Sequence, residues 1–270
     1  MNLALWAVNL STRLPDLESW LALVEKQVKL AAAVEMDMLV LPEYACAHWL
    51  YWKPANVTPA KELRWIAEQV PAALSGLWKL VYEYDIAILA GTMPVTEGVL
   101  VKNRAFLLTP DSYMHQDKLH PTPTERDRAG WFVTEGMGGL RTIDYRGYRI
   151  AVVISHDAQS VRVFEDLQRL KPNLVLIPSM TGRGEGGMGH SAILDAAASI
   201  ARDLPCAVAV VGAVGTQDLI DRKEPNVGGA AIYIGRRVID QIGPFDEFKQ
   251  PWGPTLHGGV FHMQPDLVAA

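Results

Sequence analysis

Runs of buried-strand character alternate with helical periodicity along this chain, and that alternation limits the possible fold more than any other feature. Apolar residues recur at helical spacing over 17–33, after Asp16, and again over 61–84. Short apolar runs of strand type lie between and after them, for example at 38–41 and 149–154. A chain that alternates in this way is expected to fold as an α/β protein in which helices cover sheets.

The complete pattern predicts a single domain over residues 1–270. Besides the two helices above, helices are predicted at 160–170 and 191–203. Further strands are predicted at 3–9, 86–91, 98–109, 113–116, 140–144, 174–177, 207–211 and 230–234. The segment 115–139 is rich in Pro, Thr, Arg and Gly, and we interpret it as an active-site loop region rather than a linker.

Composition excludes several classes of function. Of the 270 residues, 49% are hydrophobic and 20% charged, which is typical of soluble globular proteins. The net charge of −5 argues against nucleic acid and anionic membrane surfaces as partners. We expect no membrane span and no secretory leader, because the apolar runs are short and the first lacks a basic leader. Two cysteines, Cys46 and Cys206, exclude a disulfide framework and indicate a cytoplasmic location.

Three residues that can take part in chemistry each follow a strand-like run: Glu43, Lys118 and Ser155. In α/β folds functional side chains collect at strand ends, because the loops there stand on a rigid frame. Each residue taken alone has an ordinary structural alternative, namely a solvated carboxylate, a surface lysine and a helix N-cap serine. The three in matching contexts indicate a catalytic site.

The motifs around these residues resemble those of the nitrilase, or carbon–nitrogen hydrolase, superfamily. LVLPEY at 39–44 is similar to its glutamate motif, and DKLHPTPTE at 117–125 to its lysine motif. The paired strands of the family resemble the region that includes KNRA at 102–105. The segment 149–157, followed by NLVLIPS at 173–179, resembles its cysteine motif and the next strand. The resemblance covers nearly the whole chain.

The resemblance implies a fold, an assembly and a set of roles. The fold would be the four-layer α-β-β-α sandwich of the superfamily, and the assembly a homodimer. Glu43 would be the general base, Lys118 the oxyanion stabiliser and position 155 the nucleophile. Glu125 would orient substrate or water, although pairing with a neighbouring arginine is an alternative. No cofactor is implied.

Two histidines flank the expected site. His156 stands where the family often has an aromatic residue, so we interpret it as lining the pocket, and we place His120 beside it as a second substrate-binding or orienting residue. His115, His120, His257 and His262 share no metal-ligand spacing. The sequence therefore predicts no metal.

Position 155 departs from the family pattern, because serine occupies the place of the catalytic cysteine. Cys46 follows the strand of the base, and Cys206 is predicted to pack in the core, so neither replaces the nucleophile. Three explanations remain: a deliberate Cys→Ser change, a natural loss that leaves a binding protein, or a serine nucleophile. A carboxylate without a histidine is a poor base for a hydroxyl, which disfavours the third. Retention of Glu43 and Lys118, whose burial costs desolvation energy, favours a recent or engineered substitution.

The predicted activity is hydrolysis of a carbon–nitrogen bond in a small amide. An amide is favoured over a nitrile because His156-Asp157 stands where the nitrilase branch usually has Trp-Glu. An acyltransferase outcome and a non-catalytic member that binds a small molecule or a protein partner are the alternatives. An arginine could bind a carboxylate group of the substrate, and the candidates are Arg126, Arg128, Arg162 and Arg183. The alternative is that these arginines are simply solvated.

Overall fold

The computed structural model describes residues 1–127, 131–182, 189–215 and 226–245. Its α-helices are α1 (Leu17–Ala33), α2 (Glu62–Tyr84), α3 (Pro123–Arg126), α4 (Val161–Leu170) and α5 (His190–Asp203). Its strands are β1 (Leu3–Leu5), β2 (Met38–Val40), β3 (Ala87–Glu97), β4 (Leu100–Leu108), β5 (Tyr113–Asp117), β6 (Thr142–Tyr145), β7 (Tyr148–Val152), β8 (Leu174–Ser179), β9 (Ala207–Gly212), β10 (Gly228–Ile234) and β11 (Arg237–Phe245). Three 3-10 helices cover Ala45–Trp52, Pro59–Lys61 and Ser155–Gln159.

The helices begin and end where local chemistry directs. The Asp16 carboxylate accepts a hydrogen bond of 2.7 Å from the Ser19 backbone N–H, which satisfies one of the free donors at the start of α1. Asp85, directly after α2, takes a left-handed conformation with φ of 48°, which ends that helix. The predicted bounds of α1 are confirmed, and the predicted starts of the other long helices differ by one residue.

Two sheets form the centre of the molecule. The first has the order β1-β2-β3-β4-β5, with parallel pairing among β1, β2 and β3 and antiparallel pairing from β3 to β5. The second has the order β11-β10-β9-β8-β7-β6, with β7, β8 and β9 parallel and the outer strands antiparallel. The parallel strands β2 and β7 both lead into segments that carry predicted site residues.

Three apolar cores define the layers. One core lies between the two sheets and contains Leu3 and Leu107 of the first and Ile150 and Ile232 of the second. A second core packs α1 and α2 on the outer face of the first sheet. A third packs α4 and α5 on the outer face of the second sheet. The layers therefore run α-β-β-α, and the predicted four-layer sandwich is confirmed.

The structure differs from the predicted elements in several places. Strand β1 ends at Leu5, short of the predicted end at 9, and helix α3 lies in the segment predicted as a loop region. Strand β3 continues past the predicted end at 91, through an irregularity in its pairing with β4. Gly91 has φ of 67° there, and a Cβ on it would lie 1.9 Å from the Pro42 carbonyl oxygen, so only glycine fits. The 3-10 helix at Ala45–Trp52 and strand β11 were not predicted.

In the described part of the chain, no helix is both long enough and apolar enough to cross a membrane.

Candidate active site

Glu43 is buried at the end of the segment that leaves β2. The next residue, Tyr44, has a left-handed backbone with φ of 51°, and its N–H donates to the Thr92 hydroxyl at 3.0 Å. This turn directs the chain into the 3-10 helix while the Glu43 side chain stays 1% exposed. Glu43 Oε2 accepts a hydrogen bond of 3.1 Å from the backbone N–H of Met180, which follows β8. The base candidate is therefore held by both sheets, and the solvated alternative is wrong.

Lys118 follows β5 and is also 1% exposed. Its Nζ donates at 2.7 Å to Glu43 Oε1 and at 2.7 Å to Glu125 Oε2. Burial lowers the pKa of Lys118, but the carboxylates of Glu125 and Glu43 outweigh this effect and raise the pKa above its usual range. The side chain is therefore an ammonium at neutral pH. An ammonium has three N–H donors, and the two carboxylates occupy two of them.

Glu125 completes this charged group from helix α3. Thr122 and Glu125 form a capping box, in which Oε2 of Glu125 accepts the Thr122 N–H at 2.8 Å. Its Oε1 accepts the Tyr44 hydroxyl at 2.8 Å. Burial raises the pKa of the carboxyl, but the charge of Lys118 and these hydrogen bonds together lower it to about 2. Glu125 thus pairs with Lys118.

The four candidate arginines lie elsewhere or outside the description. Arg126 contacts the Glu135 carboxylate at 2.9 Å, so the alternative in which it pairs with Glu125 is wrong. Arg162 is exposed on α4. Arg128 and Arg183 lie outside the described residues.

Asn103, which the sequence did not single out as a site residue, bridges the two carboxylates. Its Nδ2 donates to Glu43 Oε1 at 2.9 Å and to Glu125 Oε1 at 3.1 Å. The sequence carried one signal for Asn103, namely an amide between charged residues in the middle of a long predicted strand. If such an amide is buried, it needs polar partners. We name Glu43, Lys118, Glu125 and Asn103 together the charged cluster.

Ser155 is fully buried and begins the 3-10 helix that follows β7. Its φ of 51° places a non-glycine residue in the left-handed region, where backbone strain is stored. Within the described part of the chain, its Oγ has no hydrogen-bond partner. The N-cap alternative is therefore wrong, since Ser160 is the residue that precedes α4.

Asp157 connects the turn of Ser155 to the segment of Lys118. Its carboxylate accepts the backbone N–H of Leu119 at 2.9 Å and that of His120 at 2.7 Å. Burial raises the pKa of Asp157 to about 7, against the opposing effects of these donors and of the Lys118 ammonium. The sequence prediction missed this connection, because it joins residues far apart in the chain.

The two flanking histidines make local contacts. His120 Nε2 lies 3.0 Å from the Ser160 hydroxyl, and His156 Nδ1 lies 3.4 Å from the Gln159 side-chain oxygen. Both side chains are partly exposed. In the described ranges no group of three or more His, Cys, Asp or Glu side chains is arranged to hold a metal ion. His257 and His262 lie outside those ranges.

The two cysteines offer no alternative nucleophile. Cys46 is buried and its Sγ donates to the Thr92 carbonyl at 3.5 Å, while burial raises the pKa of its thiol well above the usual value. Cys206 packs in the core beneath α4 and α5, as predicted, and burial raises its pKa to about 12. Neither thiol readily forms the reactive thiolate.

The arrangement can support acid–base chemistry on a neutral group. The side chains of Glu43, Lys118 and Glu125 are all buried, so electrostatic interactions among them are stronger than they would be in water. The carboxyl group of Glu43 suits general-base catalysis, and the third N–H of Lys118 can stabilise negative charge that develops on an oxygen.

Comparisons with known proteins agree with the fold. The family model for carbon-nitrogen hydrolase matches residues 5–233. The solved structure of an amidase from Nesterenkonia sp. is similar with a TM-score of 0.72 at 18% identity, over 91% of this chain and 87% of that one. A cysteine-to-serine mutant of the Nesterenkonia AN1 amidase gives 0.72 at 18% identity, over 90% and 88%. A cysteine-to-alanine mutant of that amidase, in complex with butyramide, gives 0.71 at 18% identity, over 90% and 87%.

No curated protein sequence shows a significant match to this chain. At 18% identity, the structural likeness establishes the fold alone. The family model carries the assignment further, because it spans most of the chain: the protein belongs to the carbon-nitrogen hydrolase family.

Proposed function

We propose that this protein is an amidase-type hydrolase of small amides whose nucleophile position holds serine in place of cysteine. The observation that carries the proposal is the buried Lys118 ammonium, 2.7 Å from both the Glu43 and the Glu125 carboxylate. Ions buried in this way cost several kcal/mol of desolvation energy each, which a packing role does not require. Family membership and the likeness to the Nesterenkonia amidase support the choice of an amide.

In the proposed mechanism a thiol at position 155 gives its proton to Glu43, and the resulting thiolate attacks the carbonyl carbon of the amide. Negative charge develops on the carbonyl oxygen, where the free N–H of Lys118 and the backbone N–H of His156 stabilise it. The carbon–nitrogen bond then breaks, and the nitrogen leaves as ammonia with the proton from Glu43. Water, deprotonated by Glu43 and oriented by Glu125, hydrolyses the thioester to the carboxylic acid and restores the thiol.

Serine alters the first step. A hydroxyl is a far weaker acid than a thiol, and a carboxylate is a poor base for it. We therefore propose that the chain as it stands binds an amide and turns it over very slowly or not at all. As part of the same proposal, we infer that the serine arose by a recent or engineered change, because the charged cluster is intact.

The test is to compare the protein with the variant Ser155→Cys. Ammonia release from acetamide and butyramide is expected to rise by at least roughly 10³-fold in the variant. The starting protein should bind butyramide in a calorimeter without consuming it. The double variant Ser155→Cys/Glu43→Gln is the control, and it should lose the gain because the base is removed.

Two results would contradict the proposal. A Ser155→Cys protein that binds butyramide without releasing ammonia would instead support the non-catalytic alternative, which the serine itself favours. Equal turnover by the serine and cysteine forms would show that serine is a competent nucleophile. Parallel arms with a nitrile substrate, and with hydroxylamine as an acyl acceptor, separate the nitrilase and acyltransferase outcomes.

We also propose that residues 1–270 form one domain and that the protein works as a homodimer in the cytoplasm. Parallel strands buried between helix layers leave little of either sheet face to a second domain. Light scattering coupled to size-exclusion chromatography gives the mass in solution, and a monomer at micromolar concentration would contradict the dimer.

A further inference from the structure

Asn103 contacts every ionised member of the charged cluster. Its Nδ2 donates to Glu43 at 2.9 Å and to Glu125 at 3.1 Å, and its backbone carbonyl accepts the Lys118 backbone N–H at 2.8 Å. The side chain is 1% exposed. One residue of β4 therefore fixes both carboxylates and the backbone from which the ammonium extends.

The amide orientation follows from electrostatics. Both N–H groups of Nδ2 are engaged by carboxylates, and rotating the amide by half a turn would point its oxygen at two negative charges. Its Oδ1 is buried and has no hydrogen-bond partner within the described ranges. An unpaired buried carbonyl oxygen is destabilising, because it has lost its hydrogen bonds to water. An apolar residue would avoid that cost, so packing alone does not explain an amide at this position of β4.

The charge of the cluster explains the amide better. A carboxylate at position 103 would add a third negative charge beside Glu43 and Glu125. A lysine would add a second ammonium beside Lys118. Asn103 donates two hydrogen bonds and leaves the charge of the cluster unchanged. A neutral double donor of this kind can hold two carboxylates apart and in fixed orientations.

We propose that Asn103 is a positioning residue, which holds Glu43 in the orientation that takes the proton from a nucleophile at position 155. The inference rests on the proposed function. Without Asn103, Glu43 Oε1 keeps only Lys118 as its donor, and the orientation of the carboxylate is less firmly fixed. The proton transfer then weakens, although Glu43 and Lys118 are both still present.

Alkylation by iodoacetamide tests this role without requiring turnover. The rate at which the thiol of Ser155→Cys reacts, measured by mass spectrometry from pH 5 to pH 10, reports how readily that thiol loses its proton. The starting protein gives the background from the two buried native cysteines. The comparison adds Asn103→Ala to the Ser155→Cys protein. The matched control adds Asn226→Ala, which removes another buried amide, one that donates to the Gly215 carbonyl.

Asn103→Ala is expected to lower the alkylation rate at pH 7 by about ten- to hundredfold and to move the midpoint of the pH profile upward, since two hydrogen bonds to charged groups are lost. Asn226→Ala should leave both unchanged. If Asn103→Ala does not fold, Asn103→Leu, which has nearly the same shape but no charge and no donor, is used and should shift the midpoint in the same direction.

Two outcomes would overturn the inference, and they differ. If the thiol of Ser155→Cys is activated and Asn103→Ala keeps its rate and midpoint within about twofold, Asn103 is merely structural. If the thiol of Ser155→Cys reacts no faster than glutathione, the proposed function itself fails, and the positioning role fails with it. The first outcome leaves the hydrolase proposal intact.

Discussion

Removing the buried ammonium should destabilise the protein more than any surface charge change. In Lys118→Met, the carboxylates of Glu43 and Glu125 stay buried and lose the group that compensates them. Restoring the Glu125 pKa from about 2 to its ordinary value of 4.5 corresponds to about 3 kcal/mol at 1.36 kcal/mol per pKa unit. Breaking a buried ion pair costs about 3–5 kcal/mol, in agreement. We expect a loss of about 3–5 kcal/mol in the free energy of unfolding at pH 7.

The loss should depend on pH with a definite sign. The lowered pKa of Glu125 stabilises the folded protein above pH 4.5, and this stabilisation disappears as the pH falls toward 2. In Lys118→Met the same carboxyl lacks its partner, so burial raises its pKa above 4.5 and the folded state takes up a proton near pH 5. The difference between the two proteins should therefore shrink between pH 7 and pH 5.

Urea unfolding, followed by tryptophan fluorescence at both pH values, measures the difference. Lys79→Met, at an exposed position of α2, is the control and should stay within about 0.5 kcal/mol of the parent protein. Adding Glu125→Gln to Lys118→Met should recover part of the loss, because one uncompensated charge is removed. A loss below about 1 kcal/mol at pH 7, or the same loss at pH 5 as at pH 7, would refute the argument that Lys118 compensates buried carboxylates.

Two further predictions concern the framework of the site. Gly91→Ala should lower the free energy of unfolding by about 2–4 kcal/mol, because the new Cβ meets the Pro42 carbonyl oxygen. Gly98→Ala, which has a similar φ but open space around it, should lower it by about 1 kcal/mol. Thermal unfolding of the two variants measures the difference, and equal losses would contradict the clash. Asp157 has its pKa raised to about 7, so its contribution to stability should decline as the pH rises from about 4 to 7. The free energy of unfolding of Asp157→Asn, measured against the parent protein over that range, should rise relative to the parent as the pH rises. Asp166→Asn is the control: the Arg169 hydrogen bond lowers the pKa of the Asp166 carboxyl, so the stability difference for this variant should change only at pH values below 4.

Local signals in the sequence predicted much of the fold. The bounds of α1 follow from apolar spacing and the Asp16 cap, and both are properties of neighbouring residues. Strand β11 escaped prediction because an edge strand gains its order from pairing with β10 and not from a buried alternating pattern. The 3-10 helix after Tyr44 also escaped, since its apolar run has no clear period.

The members of the charged cluster also differ in how far the sequence predicts them. Glu43, Lys118 and Glu125 could be predicted, because each lies in a short motif with a recognisable neighbourhood. For Asn103 the sequence carried only the signal of an amide inside a predicted strand, and for Asp157 it carried none, because their roles depend on the pairing of β4 with β5 and on a contact between two distant loops. Contacts that depend on tertiary register leave no periodic trace in the chain.

Two costs in the structure bear on the meaning of the serine. The charged cluster requires burial of three ions, and Ser155 holds a left-handed backbone that costs a non-glycine residue of order 1–2 kcal/mol. A protein that only bound a ligand could relax either feature without loss, and a chain long released from chemistry would be expected to have done so. Both persist here, around a hydroxyl that lacks a partner within the described residues. Under the proposed function, the persistence of both features favours a recent or engineered serine, and turnover by the Ser155→Cys variant tests that proposal.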